Sequence, residues 1–206
     1  MNKILTKNLS KQNILIDNHG RTINYLRLSV TDRCNYRCTY CMPEKMKFLP
    51  KKDLLTFEEM DHLCSLFISR GIKNIRLSGG EPLVRKGIFK FISNLSRYIS
   101  NGDMDEITLT TNGSRLKSFS DDLFQSGVRR INVSLDSLSE KKFNQITRRD
   151  DLNNVIDGLE AAKKAGLKIK INTVVIKNKN LNEIENIISW SHKNNFDISL
   201  IETMPM

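Results

Sequence analysis

Three cysteines stand close together near the start of the sequence: Cys34, Cys38 and Cys41, in a C-x3-C-x2-C run. Thiolate sulfur is a preferred ligand of zinc and of iron–sulfur clusters, and ligands spaced this tightly on one loop can all reach one centre. A closed structural zinc site needs four protein ligands, usually in two separated pairs. The spacing therefore favours an iron–sulfur cluster with one iron open to an exogenous ligand. The alternative is a tetrahedral zinc completed by a distant histidine or cysteine.

The fourth cysteine, Cys64, lies in a segment whose apolar residues recur at helical spacing, so we expect a buried core thiol. Four cysteines of which three are clustered indicate metal binding rather than disulfides. The first residues do not form a signal-peptide pattern, and the sequence contains no apolar run of membrane-spanning length. We therefore expect a cytoplasmic protein that does not associate with membranes.

With 206 residues, the chain is long enough to bury one sizeable core without disulfides. The formal net charge of +10 makes a nucleotide, phosphate or nucleic-acid partner conceivable. The lysines and arginines are scattered over the whole length and are not interleaved with aromatic residues, so we expect no nucleic-acid partner.

Strand and helix patterns alternate along the chain after an N-terminal arm at residues 1–22, and residues 23–206 form the predicted core domain. We predict strands at 25–30, 74–77, 106–110, 130–136, 167–176 and 198–201. We predict helices from Thr56 to Gly71, at 87–98, from 114 to about 127, from about 139 to 165 with a break near 148–151, and at 181–193. Thr56 and Glu59 form a capping-box pattern at the start of the first helix.

Six strands with helices between them predict an α/β fold with parallel strands and right-handed connections. We favour a partial (β/α)6 TIM-like barrel, and a flat doubly wound sheet is the alternative. Both folds place chemistry at the carboxyl ends of the strands, so we expect the polar residues to converge on one rim. Those ends are the cysteine loop, 79–82, 110–113, 134–136, 170–174 and 202–204.

A glycine pair follows the second predicted strand, in the sequence Gly79-Gly80-Glu81-Pro82. Such a pair lets the backbone approach a ligand closely, although a tight strand-to-helix turn explains it equally well. In combination with the cysteine run, this motif resembles the radical S-adenosylmethionine (radical SAM) superfamily. The resemblance implies that the three clustered cysteines hold a [4Fe-4S] cluster. It also implies that the remaining iron is chelated by the amino and carboxylate groups of SAM.

Further motifs, from about residue 15 to the end, are similar to those of one family within that superfamily, the GTP 3′,8-cyclases of molybdenum cofactor biosynthesis. These motifs lie at 15–17, 20–21, 24–27, 29–35, 39–43, 76–83, 109–113, 131–138, 170–174 and 201–204. The resemblance implies that SAM is bound by Tyr40, Gly80, Ser134 and Met204. It implies that GTP is bound by Arg27, Arg76, Thr110 and Lys170. Guanidinium and ammonium groups suit a triphosphate.

The implied reaction is a radical lyase reaction. The reduced cluster splits SAM, the resulting 5′-deoxyadenosyl radical abstracts hydrogen from C3′ of GTP, and C3′ then attacks C8 of guanine. The resemblance also implies an electron donor such as flavodoxin or ferredoxin, and it allows a homodimer. We expect Asp136 and Glu202, which lie near the predicted rim, to be structural or solvated carboxylates rather than proton shuttles.

The sequence departs from the family pattern after its last predicted strand. Family members carry a C-terminal segment with a second cysteine triplet, which binds a second [4Fe-4S] cluster, and they end in Gly-Gly. This sequence has no cysteine after Cys64, so we expect a fragment or a shortened relative, apparently truncated after the sixth strand. The alternatives are another radical SAM enzyme that acts on a peptide or small molecule, and an inactive metal-binding fragment.

Overall fold

A computed structural model describes residues 14–203, which form six strands and six α-helices. The strands are β1 (Tyr25–Ser29), β2 (Asn74–Ser78), β3 (Glu106–Thr111), β4 (Arg130–Ser134), β5 (Lys168–Val175) and β6 (Asp197–Glu202). The helices are α1 (Phe57–Ser69), α2 (Ile88–Ser100), α3 (Leu116–Gln125), α4 (Glu140–Thr147), α5 (Leu152–Lys164) and α6 (Ile184–Lys193), with short 3-10 turns at Lys51–Asp53, Pro82–Val84 and Leu181–Glu183. Among the helices described, none has the length and apolar character needed to span a bilayer.

The predicted elements are found close to their predicted bounds. The capping box is present, because the Thr56 hydroxyl accepts from the N–H of Glu59 and the Glu59 carboxylate accepts from the N–H of Thr56. The predicted break in the long helical region separates α4 from α5, and it contains Arg148 in the left-handed conformation, with φ of 56°. Residues 14–22 lie against the end of α1, where the N–H of Leu15 donates to the carbonyl of Arg70 over 3.1 Å.

The six strands are all parallel and follow one another in the sheet in chain order, from β1 to β6. A doubly wound sheet would reverse its strand order at a switch point, which this sheet does not. When every crossover is right-handed and steps in the same direction, all the helices lie on one face of the sheet. The prediction of a partial (β/α)6 barrel is therefore confirmed, and the flat doubly wound alternative is wrong.

The helix-covered face of the sheet is apolar, and it is fully buried in the central strands. Ile75 and Leu77 of β2 and Ile131 and Val133 of β4 have no exposed surface, and they belong to one core with helical residues such as Phe91. Parallel sheets covered on both faces read as continuous apolar runs. The strands of this sheet instead alternate apolar and polar residues, so only one face is packed by the helices.

We call the other side of the sheet the concave face. Its side chains are two residues apart on each strand and are aligned across the strands by the register of the sheet. They include Arg27, Arg76, Thr108, Thr110, Arg130, Asn132, Ser134, Lys170 and Asn172. The interior of an ordinary TIM barrel is filled with branched apolar side chains, so this polar face is suited to a ligand rather than to a packed core.

Gly79 and Gly80 let the cysteine loop, residues 30–43, lie directly against the end of β2. The N–H of Gly80 donates to the carbonyl of Thr31 over 2.7 Å, and the N–H of Glu81 donates to the carbonyl of Arg33 over 2.8 Å. A Cβ atom on Gly80 would lie 2.3 Å from the Arg33 carbonyl oxygen, which is closer than real contacts allow. The close approach that the glycine pair permits is therefore to the backbone of the cysteine loop.

Glu81 fixes this end of β2 to the end of β3. Its fully buried carboxylate accepts from the N–H of Leu83 over 3.0 Å, the hydroxyl of Thr111 over 2.9 Å and the N–H of Asn112 over 2.7 Å. Burial raises the pKa of the Glu81 carboxyl, and the three donors act in the opposite direction. Because the cysteine loop rests on the same turn, Glu81 holds that loop and β3 in one arrangement.

We expect Glu81→Gln to lower the free energy of unfolding by about 1–3 kcal/mol, because the amide NH2 group must face a buried N–H or O–H donor. Urea unfolding, followed by circular dichroism, measures this loss. The control is Glu160→Gln, which changes an exposed side chain on α5 and should stay within about 0.5 kcal/mol of wild type. Equal losses in the two variants would contradict the role of Glu81.

Candidate active site

The cysteine loop is tied to the far side of the sheet as well as to β2. The hydroxyl of Tyr40 donates to the carboxylate of Asp136 over 2.6 Å, and the other Asp136 oxygen accepts from the N–H of Val174 over 2.8 Å. Asp136 is only 3% exposed, and burial raises the pKa of its carboxyl. This side chain thus connects the loop to the ends of β4 and β5, which agrees with the expectation of a structural carboxylate.

A second set of contacts joins the loop to the end of α4. The N–H groups of Arg37 and Thr39 donate to the carbonyls of Thr147 and Ile146 over 3.0 and 2.9 Å. Nearby, the hydroxyl of Tyr36 donates to the carboxylate of Asp151 over 2.6 Å. The break between α4 and α5 therefore places backbone acceptors beside the loop. With contacts on both sides, the conformation of the loop is fixed by the protein around it.

The three thiols differ in exposure. Cys34 and Cys38 are half-buried and Cys41 is exposed, and none of them forms a disulfide. Burial raises the pKa of the Cys34 thiol, and it raises that of Cys38 to about 12. A coordinated metal would keep both thiols deprotonated despite this effect of burial.

Cys34 also has two hydrogen-bond donors directed at its sulfur. The N–H of Tyr36 lies 3.4 Å from Sγ, and Nδ2 of Asn112 lies 3.8 Å from it. The same Asn112 nitrogen donates to Oδ1 of Asn35 over 2.9 Å. Hydrogen bonds to cysteine sulfur are one of the means by which a protein sets the reduction potential of an iron–sulfur cluster.

The donor set fits an iron–sulfur cluster. Within residues 14–203, no three histidine, cysteine, aspartate or glutamate side chains are arranged to hold a single metal ion. A [4Fe-4S] cluster makes a different demand, because each thiolate binds a separate iron atom. Three thiols on a fixed loop, with N–H donors aimed at one sulfur, supply ligands of the kind that such a cluster takes.

The three cations of the concave face that are predicted GTP residues form no ion pair with any residue in the part of the chain described: Arg27, Arg76 and Lys170. Arg27 donates from Nε to the hydroxyl of Ser78 over 3.1 Å. Arg130, on the same face, is instead paired with both carboxylate oxygens of Glu106, over 3.0 and 2.6 Å. The charge of Arg130 is therefore balanced within the protein, whereas the other three are available to an anion.

The predicted site residues are distributed over the concave face as well as the rim. Tyr40 belongs to the cysteine loop, and the backbone of Gly80 is hydrogen-bonded to that loop. Ser134 is the last residue of β4, at the rim. The predicted GTP residues lie within their strands: Arg27, Arg76, Thr110 and Lys170. The expectation of a single rim was thus too narrow, because alternation along the strands brings deeper residues to the same face. Met204 lies outside the described residues.

Two further residues of the site, Asn112 and Asn132, are not identified by the sequence patterns. Asn112 follows β3 directly and contacts Cys34, and Asn132 lies on the concave face between two strands that carry predicted site residues. The signal for Asn132 is present in the sequence, since Arg130, Asn132 and Ser134 alternate with buried apolar residues. Without the register of the sheet, nothing distinguished this amide from a solvated one.

Solved structures with the same fold include enzymes bound to SAM. SuiB from Streptococcus suis, bound to S-adenosylmethionine, has a TM-score of 0.74 and 18% identity, over 89% of this chain and 41% of that one. The enzyme anSMEcpe with bound AdoMet has a TM-score of 0.71 and 19% identity, over 87% of this chain and 49% of that one. Methylornithine synthase (PylB) has a TM-score of 0.69 and 13% identity, over 88% and 53% of the two chains.

Curated relatives named GTP 3′,8-cyclase are much more similar in sequence. Those from Brucella ovis, Brucella canis and Brucella abortus are each 58% identical to this chain over 192 residues. The matches cover 93% of this chain and 56% of each relative, so the chain spans little more than half the length of these relatives.

The match to a family is found over most of the chain. The family model of the radical SAM superfamily matches residues 28–191, a range that includes the cysteine loop, the glycine pair and four of the six strands, β2 to β5. With three fixed thiols beside a polar concave face in a partial barrel, the chain belongs to the radical SAM superfamily.

Proposed function

We propose that the chain is the SAM-binding part of a GTP 3′,8-cyclase, with residues 23–206 as its core domain and 1–22 as an N-terminal arm. The single observation that carries the GTP assignment is the set of three cations without ion-pair partners on the concave face, in the part of the chain described. The 58% identity to proteins named GTP 3′,8-cyclase supports the same assignment.

Membership in the superfamily implies a [4Fe-4S] cluster and SAM. Cys34, Cys38 and Cys41 would hold the cluster. When bound, the cluster and SAM supply a 5′-deoxyadenosyl radical for hydrogen abstraction from the ribose of GTP. The protein contributes binding, orientation and exclusion of water. A second cluster, carried by full-length family members, would complete the GTP site.

The proposed SAM contacts surround the cysteine loop. Tyr40 is held in place by Asp136, and the backbone at Gly80 is held against the loop by its hydrogen bond to Thr31. The hydroxyl of Ser134 is suited to hydrogen-bond the amino-acid moiety of SAM. Met204, assigned from the resemblance alone, offers an apolar contact.

The proposed GTP contacts lie deeper on the concave face. Arg27 and Arg76 occupy the same register level on β1 and β2, and Thr110 and Lys170 share a level on β3 and β5. The guanidinium groups can bind phosphate oxygens in pairs, and Lys170 supplies a point charge. This arrangement would place the triphosphate on the sheet and direct the rest of the nucleotide toward the cysteine loop.

The electron donor is proposed to be a one-electron carrier such as flavodoxin or ferredoxin, and the protein is proposed to act in the cytoplasm, alone or as a homodimer. A different radical SAM enzyme that acts on a peptide or small molecule would have no need of three cations left without ion-pair partners. The cations therefore favour a triphosphate substrate over that alternative.

We expect Lys170→Ala to weaken GTP binding about tenfold to a hundredfold, because a hydrogen bond to a charged group contributes about 1.5–3 kcal/mol. Isothermal titration calorimetry under anaerobic conditions measures the dissociation constant. The matched control is Lys164→Ala, an exposed lysine at the end of α5, on the helix-covered side of the sheet. We expect that control to bind GTP within about threefold of wild type.

Two results would contradict the proposal. If Lys164→Ala weakened binding as much as Lys170→Ala, the attraction would come from overall charge rather than from a site. If the wild-type chain did not bind GTP at all, the substrate assignment for this chain would fail.

The contact between Asn112 and Cys34 predicts a shift in the potential of the bound cluster. We expect Asn112→Ala to make the potential more negative, because a lost N–H donor leaves the reduced, more negatively charged cluster less stabilised. Spectroscopic redox titration of the reconstituted protein measures the shift. Asn35→Ala is the control, since it removes the other partner of Asn112 and leaves the donor to sulfur in place. If both variants shifted the reduction potential equally, the effect would come from a change in the conformation of the loop and not from the lost donor.

A further inference from the structure

Two buried donors on the concave face lack acceptors. Leaving a buried N–H group without a partner costs free energy comparable to a lost hydrogen bond, so such groups are rare. In the part of the chain described, the buried side-chain nitrogens without any partner are Nε of Arg76 and Nδ2 of Asn132. Both belong to the concave face, and Asn132 is only 2% exposed. Their coincidence on one face points to an acceptor that the protein itself does not supply.

Asn132 lies between two residues already assigned to the GTP site. The register pairs it with Thr110 on β3 and with Lys170 on β5. Neighbouring strands are about 5 Å apart, so the three side chains emerge side by side at one level of the face. Arg76 is paired with Thr108, which lies two residues before Thr110 on β3, roughly 7 Å along the strand. The backbones of Arg76 and Asn132 are therefore about 12 Å apart, and Asn132 is the donor that lies beside Lys170.

The chemistry beside Lys170 selects an anionic oxygen, which in the proposed substrate belongs to a phosphate. A carbonyl or ring nitrogen would accept from the amide, but it would leave the charge of Lys170 without a counterion. A phosphate oxygen satisfies both groups, because it accepts hydrogen bonds and carries negative charge. A charge-neutral amide beside the lysine also adds a donor without adding repulsion to the cationic set.

We propose that Nδ2 of Asn132 donates a hydrogen bond to a phosphate oxygen of the bound nucleoside triphosphate, next to Lys170. This inference rests on the proposed function and adds a binding residue to it. Because the donor has no partner within the protein, its removal does not weaken the ligand-free fold. Its contribution is expressed only when the anion binds.

The test compares Asn132→Ala and Asn132→Asp with wild type, using GTP and inorganic tripolyphosphate as separate ligands in anaerobic calorimetry. We expect Asn132→Ala to weaken both ligands by the same factor, about tenfold. Asn132→Asp should weaken both further, because its carboxylate repels phosphate. Urea unfolding without ligand should give Asn132→Ala a midpoint equal to or above that of wild type, which a structural role would not produce.

Each of the following results would contradict a specific part of the proposal. If Asn132→Ala weakens GTP but not tripolyphosphate, the amide contacts base or ribose and the phosphate assignment is wrong. If wild type binds GTP and both folded variants bind it equally well, the inference fails while the proposed function stands. If wild type binds neither ligand, both fail. A midpoint well below that of wild type for Asn132→Ala would overturn the claim of an unpartnered donor.

Discussion

Each connection in the sheet steps to the next strand in the same direction, and parallel connections are right-handed as a rule. This constraint decides which face of the sheet the helices cover and which face is left to the polar side chains. The helices are confined to one face, where they bury residues such as Leu77 and Val133. The opposite face is left with the alternate residues of each strand, which are polar. A cationic surface with unpartnered donors can persist there because no helix competes for it.

The cysteine loop depends on the same geometry. It follows β1, the first edge of the sheet, and it can reach both β2 and β4 because the sheet curves round the concave face. Gly80 and Glu81 fix one side of the loop, and the bond between Tyr40 and Asp136 fixes the other. The thiols are thereby held by contacts on both sides of the loop.

The sequence predicted the strands, the helices, the capping box at Thr56 and the partial barrel, because period-two and helical patterns are local properties of the chain. It did not predict that Glu81 joins β2 to β3, because two of its three partners, Thr111 and Asn112, lie about thirty residues away and cannot be read from a motif. It also missed Asn132, whose meaning depends on its register with Lys170. The residue types can be read from the sequence, but their roles depend on contacts with residues that are distant in the chain.

The central claim is that the cysteine loop holds a cluster with an open iron beside a SAM site. Its most direct test is electron paramagnetic resonance of the chain, reconstituted anaerobically with iron and sulfide and then reduced, with and without SAM. We expect a [4Fe-4S] signal that changes when SAM is added. Retention of zinc with no cluster signal, or a cluster signal that SAM leaves unchanged, would contradict it.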